Sequence, residues 1–260
     1  MIRRLLLALV LVVSQLSFAS SYDTLVLSDR PVMYLPLSAP HGAATEPNLA
    51  GPGLAGRYVG APSKARMPNG DYVALFNGTS QYVEVADAAA LSIPQNGALT
   101  LEAWIRPATL EFPRPEGSGY VHWAGKGVPG QHEYACRMYS YTNTESRPNR
   151  ISGYVFNLAG GLGSGSYFQD PVRVGEWIHV AVVMDDRAGT VSIYKNGILR
   201  DTTPLDQFDV TPQPGTAPLR IATRDLRSYF HGAIGKFALY HYAVPQTRLR
   251  AHYMKIRIWR

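Results

Sequence analysis

Residues 175–199 read GEWIHVAVVMDDRAGTVSIYKNGIL, and this stretch decides the fold. Across residues 178–184 large apolar side chains occupy every second position, and the positions between them are also mostly apolar. This pattern is typical of a central strand covered on both faces. Residues 185–189 supply a polar turn, a second strand begins at Thr190, and it ends at Asn196-Gly197, the dipeptide that best tolerates positive φ in a hairpin turn. The stretch predicts an antiparallel all-β core.

The same stretch resembles the laminin-G-like (LamG) branch of the concanavalin A-like lectin/glucanase superfamily, through its Trp-x-His-Val strand and its Val-x-Ile-Tyr-Lys-Asn-Gly hairpin. Three further stretches agree in the family's order, at residues 76–85, 99–107 (LTLEAWIRP) and 230–242 (FHGAIGKFALYHY). The resemblance implies an antiparallel two-sheet β-sandwich, a jelly roll of concanavalin A-like type. Because that superfamily contains lectins, adhesion modules, hydrolases and lyases, function has to be argued from a site.

The first 19 residues have the pattern of a secretory signal peptide. Arg3 and Arg4 form a basic start, residues 5–13 are apolar but too few to span a bilayer, and Ser17 and Ala19 are small. We therefore expect cleavage after Ala19, a secreted or extracellular protein, and one β-sandwich domain over residues 20–260. The mature chain is expected to contain no membrane span, and an uncleaved membrane anchor is the alternative.

Composition narrows the possible classes of function. Apolar residues make up 46% of the chain, which is enough for a two-sheet core, and the formal charge of +6 falls to +4 when Arg3 and Arg4 are removed. No basic run is interleaved with aromatic residues, so a nucleic-acid partner is not expected. Cys136 is the only cysteine, so no intrachain disulfide can form.

Residues 133–141 (EYACRMYSY) carry the site prediction. In a strand, Arg137, Tyr139 and Tyr141 share one face while more apolar residues share the other. Arginine is rarely buried without a partner, so its face is predicted to be open. The predicted ligand-binding residues on or beside that face are Trp123, Arg137, Tyr139, Tyr154, Asn157 and Gln169.

These residue types suit a carbohydrate ligand. Tyrosine stacks on a sugar ring and keeps a hydroxyl for hydrogen bonding, and arginine offers a planar fork to a carboxylate or to sugar hydroxyls. We therefore predict a carbohydrate-binding or adhesion module that recognises a polysaccharide or glycan, with an acidic glycan favoured. A protein-binding module without sugar affinity is one alternative. In another, Arg137 pairs with Glu133 or Asp170 and only covers the sheet.

An enzyme of the same fold is the remaining alternative, as a polysaccharide lyase or a glycoside hydrolase. The sequence has no Glu-x-Asp-x-x-Glu run, no His-Glu-x-x-His and no Gly-x-Ser-x-Gly, so no catalytic residue is predicted. The resemblance to lyases implies a set of Arg137, Tyr139, His122 and Gln169, but the Gln-x-His strand signature of those lyases is missing.

No cofactor is predicted, and a structural calcium is doubtful. Most relatives place Asp and Glu after the Gly-x-Ile, where an acid can bind calcium, whereas this chain has Gly235-Lys236. Four loop aspartates could still offer oxygen atoms or serve as turn residues, namely Asp29, Asp185, Asp186 and Asp209. Elsewhere, residues 25–37 are predicted to form the first strand, residues 244–253 a short helix, and Asn77-Gly78 a hairpin turn.

Overall fold

The computed structural model describes residues 20–38 and 42–256, which form two eight-stranded antiparallel sheets packed face to face. Numbered along the chain, the strands of sheet A are β1 (Met33–Leu35), β4 (Ser63–Arg66), β5 (Tyr72–Asn77), β7 (Ala98–Pro107), β12 (Ile178–Asp185), β13 (Thr190–Lys195), β14 (Ile198–Pro204) and β16 (His231–Tyr240). Those of sheet B are β2 (Thr45–Glu46), β3 (Gly56–Val59), β6 (Tyr82–Val85), β8 (Tyr120–Val128), β9 (Gln131–Tyr139), β10 (Ile151–Asn157), β11 (Gly160–Phe168) and β15 (Leu219–Ile221). The predicted all-β sandwich is confirmed.

Three helices accompany the sheets, α1 (Ser21–Ser28), α2 (Ile93–Asn96) and α3 (Gln246–Ile256). Sheet A runs in the order β14-β13-β12-β7-β16-β5-β4, with β1 also paired to β16, and sheet B runs β11-β10-β9-β8-β15-β6-β3-β2. Within the described ranges, none of the helices has the length and apolar character needed to cross a membrane. The predicted signal peptide and its cleavage site after Ala19 lie outside the described residues.

The central strand predicted from the sequence is β12, and both of its faces are buried. Ile178, Val180 and Val182 point into the main core between the sheets, while Ala181 and Val183 belong to a second apolar cluster on the outer face of sheet A. Helices α1 and α3 supply most of the cover for that outer cluster. This cover explains why the strand is apolar at consecutive positions instead of alternating with polar residues.

The prediction of a strand over residues 25–37 is wrong for its first half. Ser20 and Asp23 form a capping box, in which each side chain binds the other's backbone N–H, and this starts helix α1. Tyr22 and Val26, four residues apart, then lie on the same face and pack into the outer cluster of sheet A. Only Met33–Leu35 forms a strand, β1. The predicted C-terminal helix exists as α3, which begins directly after Pro245.

The two predicted Asn-Gly turns have different outcomes. Asn196 and Gly197 both have positive φ, at 55° and 71°, and they join β13 to β14 as a hairpin. Asn77-Gly78 instead leads from β5 in sheet A to β6 in sheet B, so it is not a hairpin. The Asn77 side chain holds this crossing by accepting hydrogen bonds from the backbone N–H groups of Thr79, Ser80 and Gln81.

Candidate functional site

The open face predicted from residues 133–141 is the outer face of sheet B. On strand β9, Tyr134, Cys136 and Met138 point into the core between the sheets, whereas Arg137 and Tyr139 point outward. Cys136 is fully buried, and burial raises the pKa of its thiol. None of the three α-helices of the described chain packs on this face, and only a short 3-10 helix, Leu205–Phe208, borders it.

A groove of ≈ 790 Å³ lies on this face, within the usual range of about 300–1,000 Å³ for small-molecule sites. Strands β8, β9 and β10 form its floor, β11 forms one wall, and the residues around Asp201 and Phe208 form another. Its aromatic and charged lining residues are Tyr120, Arg137, Tyr139, Glu145, Arg147, Tyr154, Tyr167, Asp201 and Phe208.

Arg137 is held at the floor of the groove by aromatic rings on two sides. Its guanidinium carbon lies 4.3 Å from the centre of the Tyr120 ring and 4.6 Å from that of Tyr154. These tyrosines come from β8 and β10, the strands that flank β9 on either side. Phe156 lies further away, at 5.4 Å. Cation–π contacts on partly buried arginines are worth about 0.5–2 kcal/mol each, so the guanidinium has a defined position.

Glycines in strand β11 make room for the aromatic rings of the groove. A Cβ atom on Gly165 would lie 2.2 Å from Cε1 of Tyr154, and one on Gly163 would lie 2.5 Å from Cε1 of Phe156. Any other residue at these positions would displace the rings. The glycine-rich sequence of residues 159–167 is therefore a packing feature of the groove wall, in contact with β10.

Tyr139 and Tyr154 share a contact between their hydroxyl oxygens at 3.3 Å, next to Arg137 and Arg147. Burial opposes ionisation of Tyr139, but the positive charge of Arg137 and hydrogen bonds to the hydroxyl outweigh burial and lower its pKa. Burial and the neighbouring Tyr139 raise the pKa of Tyr154. The two pKa values are thus shifted in opposite directions, and Tyr139 is the more acidic of the two hydroxyls.

A buried histidine lies behind Arg137. The Nε2 atom of His122 accepts a hydrogen bond from Nε of Arg137 at 3.3 Å, and its Nδ1 atom lies 3.2 Å from the Ser228 hydroxyl and 2.9 Å from Glu116. His122 is fully buried, and burial together with the charges of Arg224 and Arg137 holds its pKa well below the usual range. The imidazole is therefore neutral, as an acceptor from Arg137 requires.

Glu116, His122 and Asp225 have ligand atoms within 4.8 Å of one another, the closest grouping of this kind in the described part of the chain. Their surroundings do not fit a metal ion. The hydrogen bond from Arg137 occupies Nε2 of His122, so the proton of the neutral ring resides on Nδ1, the atom that faces Glu116. Arg224 also forms an ion pair with Asp225 at 2.8 Å. The cluster is an internal hydrogen-bond network.

The calcium position implied by the family resemblance is also occupied by a protein cation. Lys236 is 2% exposed, and its ammonium group lies 2.7 Å from Asp23 and 2.7 Å from Asp71. An ammonium between two carboxylates takes the place that a cation would need, so these residues do not fit a calcium ion. Of the four loop aspartates, Asp29 accepts hydrogen bonds from Arg248, and Asp185 accepts one within its own turn.

The structure brings three of the six predicted ligand residues together in the groove, Arg137, Tyr139 and Tyr154. Trp123 is not on this face, because it is fully buried in the core between the sheets. Asn157 lies outside the groove and binds the backbone at Asp209 and Thr211. Gln169 is exposed beyond the end of β11 and does not line the groove. Tyr141, on the same predicted face, is 64% exposed and also lies outside it.

The alternative pairing of Arg137 with Glu133 or Asp170 is not observed. Glu133 binds the buried Lys126, and Asp170 binds Lys195 and Arg200. The sequence reasoning missed Tyr120 and Arg147, which line the groove. Tyr120 had a usable signal, because it lies two residues before His122 on the same strand and therefore on the same face.

A second polar cluster lies on the outer face of sheet A, beneath the helices. Glu102 is fully buried, and its carboxylate oxygens lie 3.1 Å from Nε2 of His179, 2.9 Å from Nδ1 of His252 and 2.6 Å from the Tyr240 hydroxyl. Burial alone would raise the pKa of Glu102, but the two histidines hold it well below its usual range. All four members of the cluster are fully buried, so it is a structural network.

Comparison with known proteins identifies the superfamily and the type of fold. A family model described as concanavalin A-like lectin/glucanases superfamily matches residues 77–250. No curated protein matches the chain. Similar solved structures include one of botulinum neurotoxin type C, whose cell entry is described as dependent upon interaction with two ganglioside molecules (TM-score 0.65, 11% identity, covering 89% of this chain and 52% of that one).

Two further structures show the same likeness. One is the ligand binding domain of botulinum neurotoxin serotype D in complex with N-acetylneuraminic acid (TM-score 0.62, 10% identity, covering 88% of this chain and 52% of that one). The other is the binding domain of Paraclostridial Mosquitocidal Protein 1 (TM-score 0.63, 10% identity, covering 87% and 52%). The chain spans about half the length of these structures. At such low identity the likeness concerns the fold.

Proposed function

The chain belongs to the concanavalin A-like lectin/glucanases superfamily, and from this premise we propose that it is a carbohydrate-binding module whose groove on sheet B takes an acidic glycan. One observation carries the proposal: Arg137, stacked between Tyr120 and Tyr154, lies on the floor of an uncovered groove of ≈ 790 Å³. A guanidinium beside aromatic rings is a combination that binds a sugar ring and its carboxylate together.

The similar structures support this proposal, because two of them are described through gangliosides or N-acetylneuraminic acid. N-acetylneuraminic acid is a carboxylated sugar, so a sandwich of this shape is compatible with an acidic sugar ligand. We also propose that the protein acts outside the cell, after removal of residues 1–19. Intact-mass measurement of the secreted protein should give a chain that begins at Ser20, and a chain that begins at Met1 would contradict secretion by cleavage.

The test of glycan binding uses isothermal titration calorimetry with a soluble polyuronate. Arg137→Ala removes a charge-assisted hydrogen bond worth about 1.5–3 kcal/mol, so it should weaken binding at least about tenfold. Arg173→Ala is the matched control, because Arg173 is exposed and lies outside the groove, and it should leave the affinity near that of the wild type. Circular dichroism should show both variants folded. Equal affinities for the two variants would place the site elsewhere.

One observation favours a second candidate, a polysaccharide lyase. A lyase needs a base next to a neutralised carboxylate, and Tyr139, with its lowered pKa, lies beside Arg137. Of the other two members of the expected set, His122 binds Arg137 but is fully buried, and Gln169 lies outside the groove. Incubation with the polyuronate under ultraviolet detection distinguishes the two functions, because a lyase produces unsaturated products and a binding module produces none.

A further inference from the structure

A continuous chain of contacts anchors Arg137 from behind. Arg137 donates from Nε to His122 at 3.3 Å, Nδ1 of His122 lies 3.2 Å from the Ser228 hydroxyl, and Ser228 is hydrogen-bonded to Glu116. The backbone N–H of His122 also donates to the Ser228 hydroxyl, at 3.2 Å. His122 and Ser228 are fully buried, so neither can reach a ligand in the groove.

In this series of hydrogen bonds, the donors all point from Arg137 towards Glu116. Because arginine can only donate, Nε2 of His122 must be the acceptor, and its proton must then be on Nδ1. Nδ1–H faces two acceptors, Oε1 of Glu116 at 2.9 Å and the Ser228 hydroxyl at 3.2 Å, and the Ser228 hydroxyl is left to donate to Glu116. This order fixes both the tautomer of His122 and the position of the Nε edge of Arg137.

The edge of Arg137 that remains for a ligand carries its two Nη atoms, next to the Tyr139 hydroxyl, which is also hydrogen-bonded to this arginine. Tyr120 and Tyr154 pack against the guanidinium from the two neighbouring strands, and His122 binds Nε, so the fork of the two Nη atoms is the part of Arg137 that can meet a ligand in the groove. A planar carboxylate fits an in-plane fork with two parallel hydrogen bonds. A tetrahedral sulfate ester matches this planar fork less well, because its oxygens do not all lie in one plane.

We propose that His122, anchored through Ser228 to Glu116, is a positioning residue that makes the groove select a sugar carboxylate over a sulfate ester. This inference rests on the proposed glycan-binding function. It assigns the selectivity for a carboxylate over a sulfate ester to a buried residue that does not touch the ligand.

The experiment compares three ligands with one backbone: a polyuronate, its carboxyl-reduced form, and the sulfate ester of that reduced form. Calorimetry should show the wild type binding the polyuronate at least about tenfold more tightly than either of the others. His122→Leu removes the acceptor and should lower the polyuronate-to-sulfate affinity ratio about tenfold. His122→Gln keeps an acceptor oxygen and should retain most of the ratio.

Controls separate positioning from folding. His241→Leu removes another histidine, one that binds only the Ala90 carbonyl outside the groove, and should leave the ratio unchanged. If His122→Leu does not fold, Ser228→Ala removes one of the two partners of Nδ1 while keeping the imidazole, and should lower the ratio by a smaller factor than His122→Leu. A purely structural role of His122 would weaken binding of all three ligands equally.

The outcomes distinguish the two proposals. Equal binding of polyuronate and sulfate ester by the wild type would overturn the carboxylate selectivity and leave glycan binding standing. An unchanged ratio in folded His122→Leu or Ser228→Ala would overturn the positioning role. If the wild type binds none of the three ligands, both this inference and the proposed function are wrong.

Discussion

On the outer face of sheet A, His252 of helix α3 lies between Glu102 and Asp29. On the outer face of sheet B, His122 lies between Arg137 and Ser228 behind an open groove. Both histidines are fully buried. Burial lowers the pKa of each, but the two carboxylates outweigh it at His252 and raise that pKa, whereas two arginines lower the pKa of His122 further.

Because burial lowers the pKa of both histidines, the opposite sign of their neighbouring charges is what makes the two differ. On sheet A the charged imidazole bridges two carboxylates and ties helices α1 and α3 to the strand that carries Glu102. On sheet B the neutral imidazole leaves the arginine charge free to face the groove. The polar groups on sheet A stabilise the fold by pairing with one another. On sheet B, Arg137 remains available to the ligand that we propose.

The largest expected effect comes from Glu102→Gln, which leaves the buried charge of His252 without its main partner. Breaking a buried pair in this way costs about 3–5 kcal/mol of unfolding free energy. The same change at Glu116 on sheet B should cost only about 1 kcal/mol, because glutamine keeps one acceptor oxygen and the group is only partly buried. Urea denaturation measures both values. Similar costs would show that the two faces do not differ in the way described.

Gly165→Ala tests whether the groove depends on its glycine wall. The new Cβ would lie 2.2 Å from the Tyr154 ring, so the ring has to move. We expect a loss of about 1–3 kcal/mol in stability, together with weaker glycan binding. Gly51→Ala is the control, because its Cβ would meet nothing within 4 Å. A Gly165→Ala variant with wild-type stability and affinity would contradict the role given to β11.

The two histidines should give opposite pH dependences of stability. The pKa of His252 is raised by folding, so its contribution is complete below the unfolded pKa of about 6.5 and is lost as pH rises through the folded pKa. The pKa of His122 is lowered, so the unfolded chain takes up the proton first and stability is lost as pH falls below about 6.5.

Denaturation over the range from about pH 5 to about pH 9 checks this sign. His252→Gln should reduce the loss of stability on the alkaline side, and His122→Gln should reduce the loss on the acid side. If both substitutions change the same limb of the pH profile, the charge environments of the two faces have been assigned incorrectly.

The smallest expected effect is that of a chelator. Because Lys236 already neutralises Asp23 and Asp71, we expect removal of calcium to leave the melting temperature of the wild type unchanged. Differential scanning calorimetry with and without the chelator measures this. A substantial fall in the melting temperature would show that a calcium ion stabilises the fold at another position.

Much of the fold was predictable because it depends on local patterns. The apolar run that became β12 and the Asn196-Gly197 hairpin turn are both encoded within a few residues. Residues 25–28 were predicted wrongly because the capping box of α1 outweighs their β-branched and apolar content. The helical cover of sheet A depends on contacts between the two ends of the described chain, and no local pattern shows these.

Of the candidate groove, the sequence could predict only which side chains of a single strand share a face. Alternation on β9 correctly placed Arg137 and Tyr139 on the outer face. The same rule, applied to β8, places Trp123 opposite His122 and therefore in the core, where it lies. Arg147, the wall at Gly165 and the segment around Phe208 come from separate parts of the chain, so their convergence depends on loop geometry and strand order.

The scarcity of accessible lysine has a practical consequence. The chain has five lysines, and Lys126, Lys195 and Lys236 are each at most 6% exposed, which leaves Lys64 on β4 and Lys255 on α3 as the reactive side-chain amines. Both belong to the sheet A side of the sandwich. Amine coupling to a sensor chip or a bead should therefore attach the protein by that side through its side chains and present the groove to the solution.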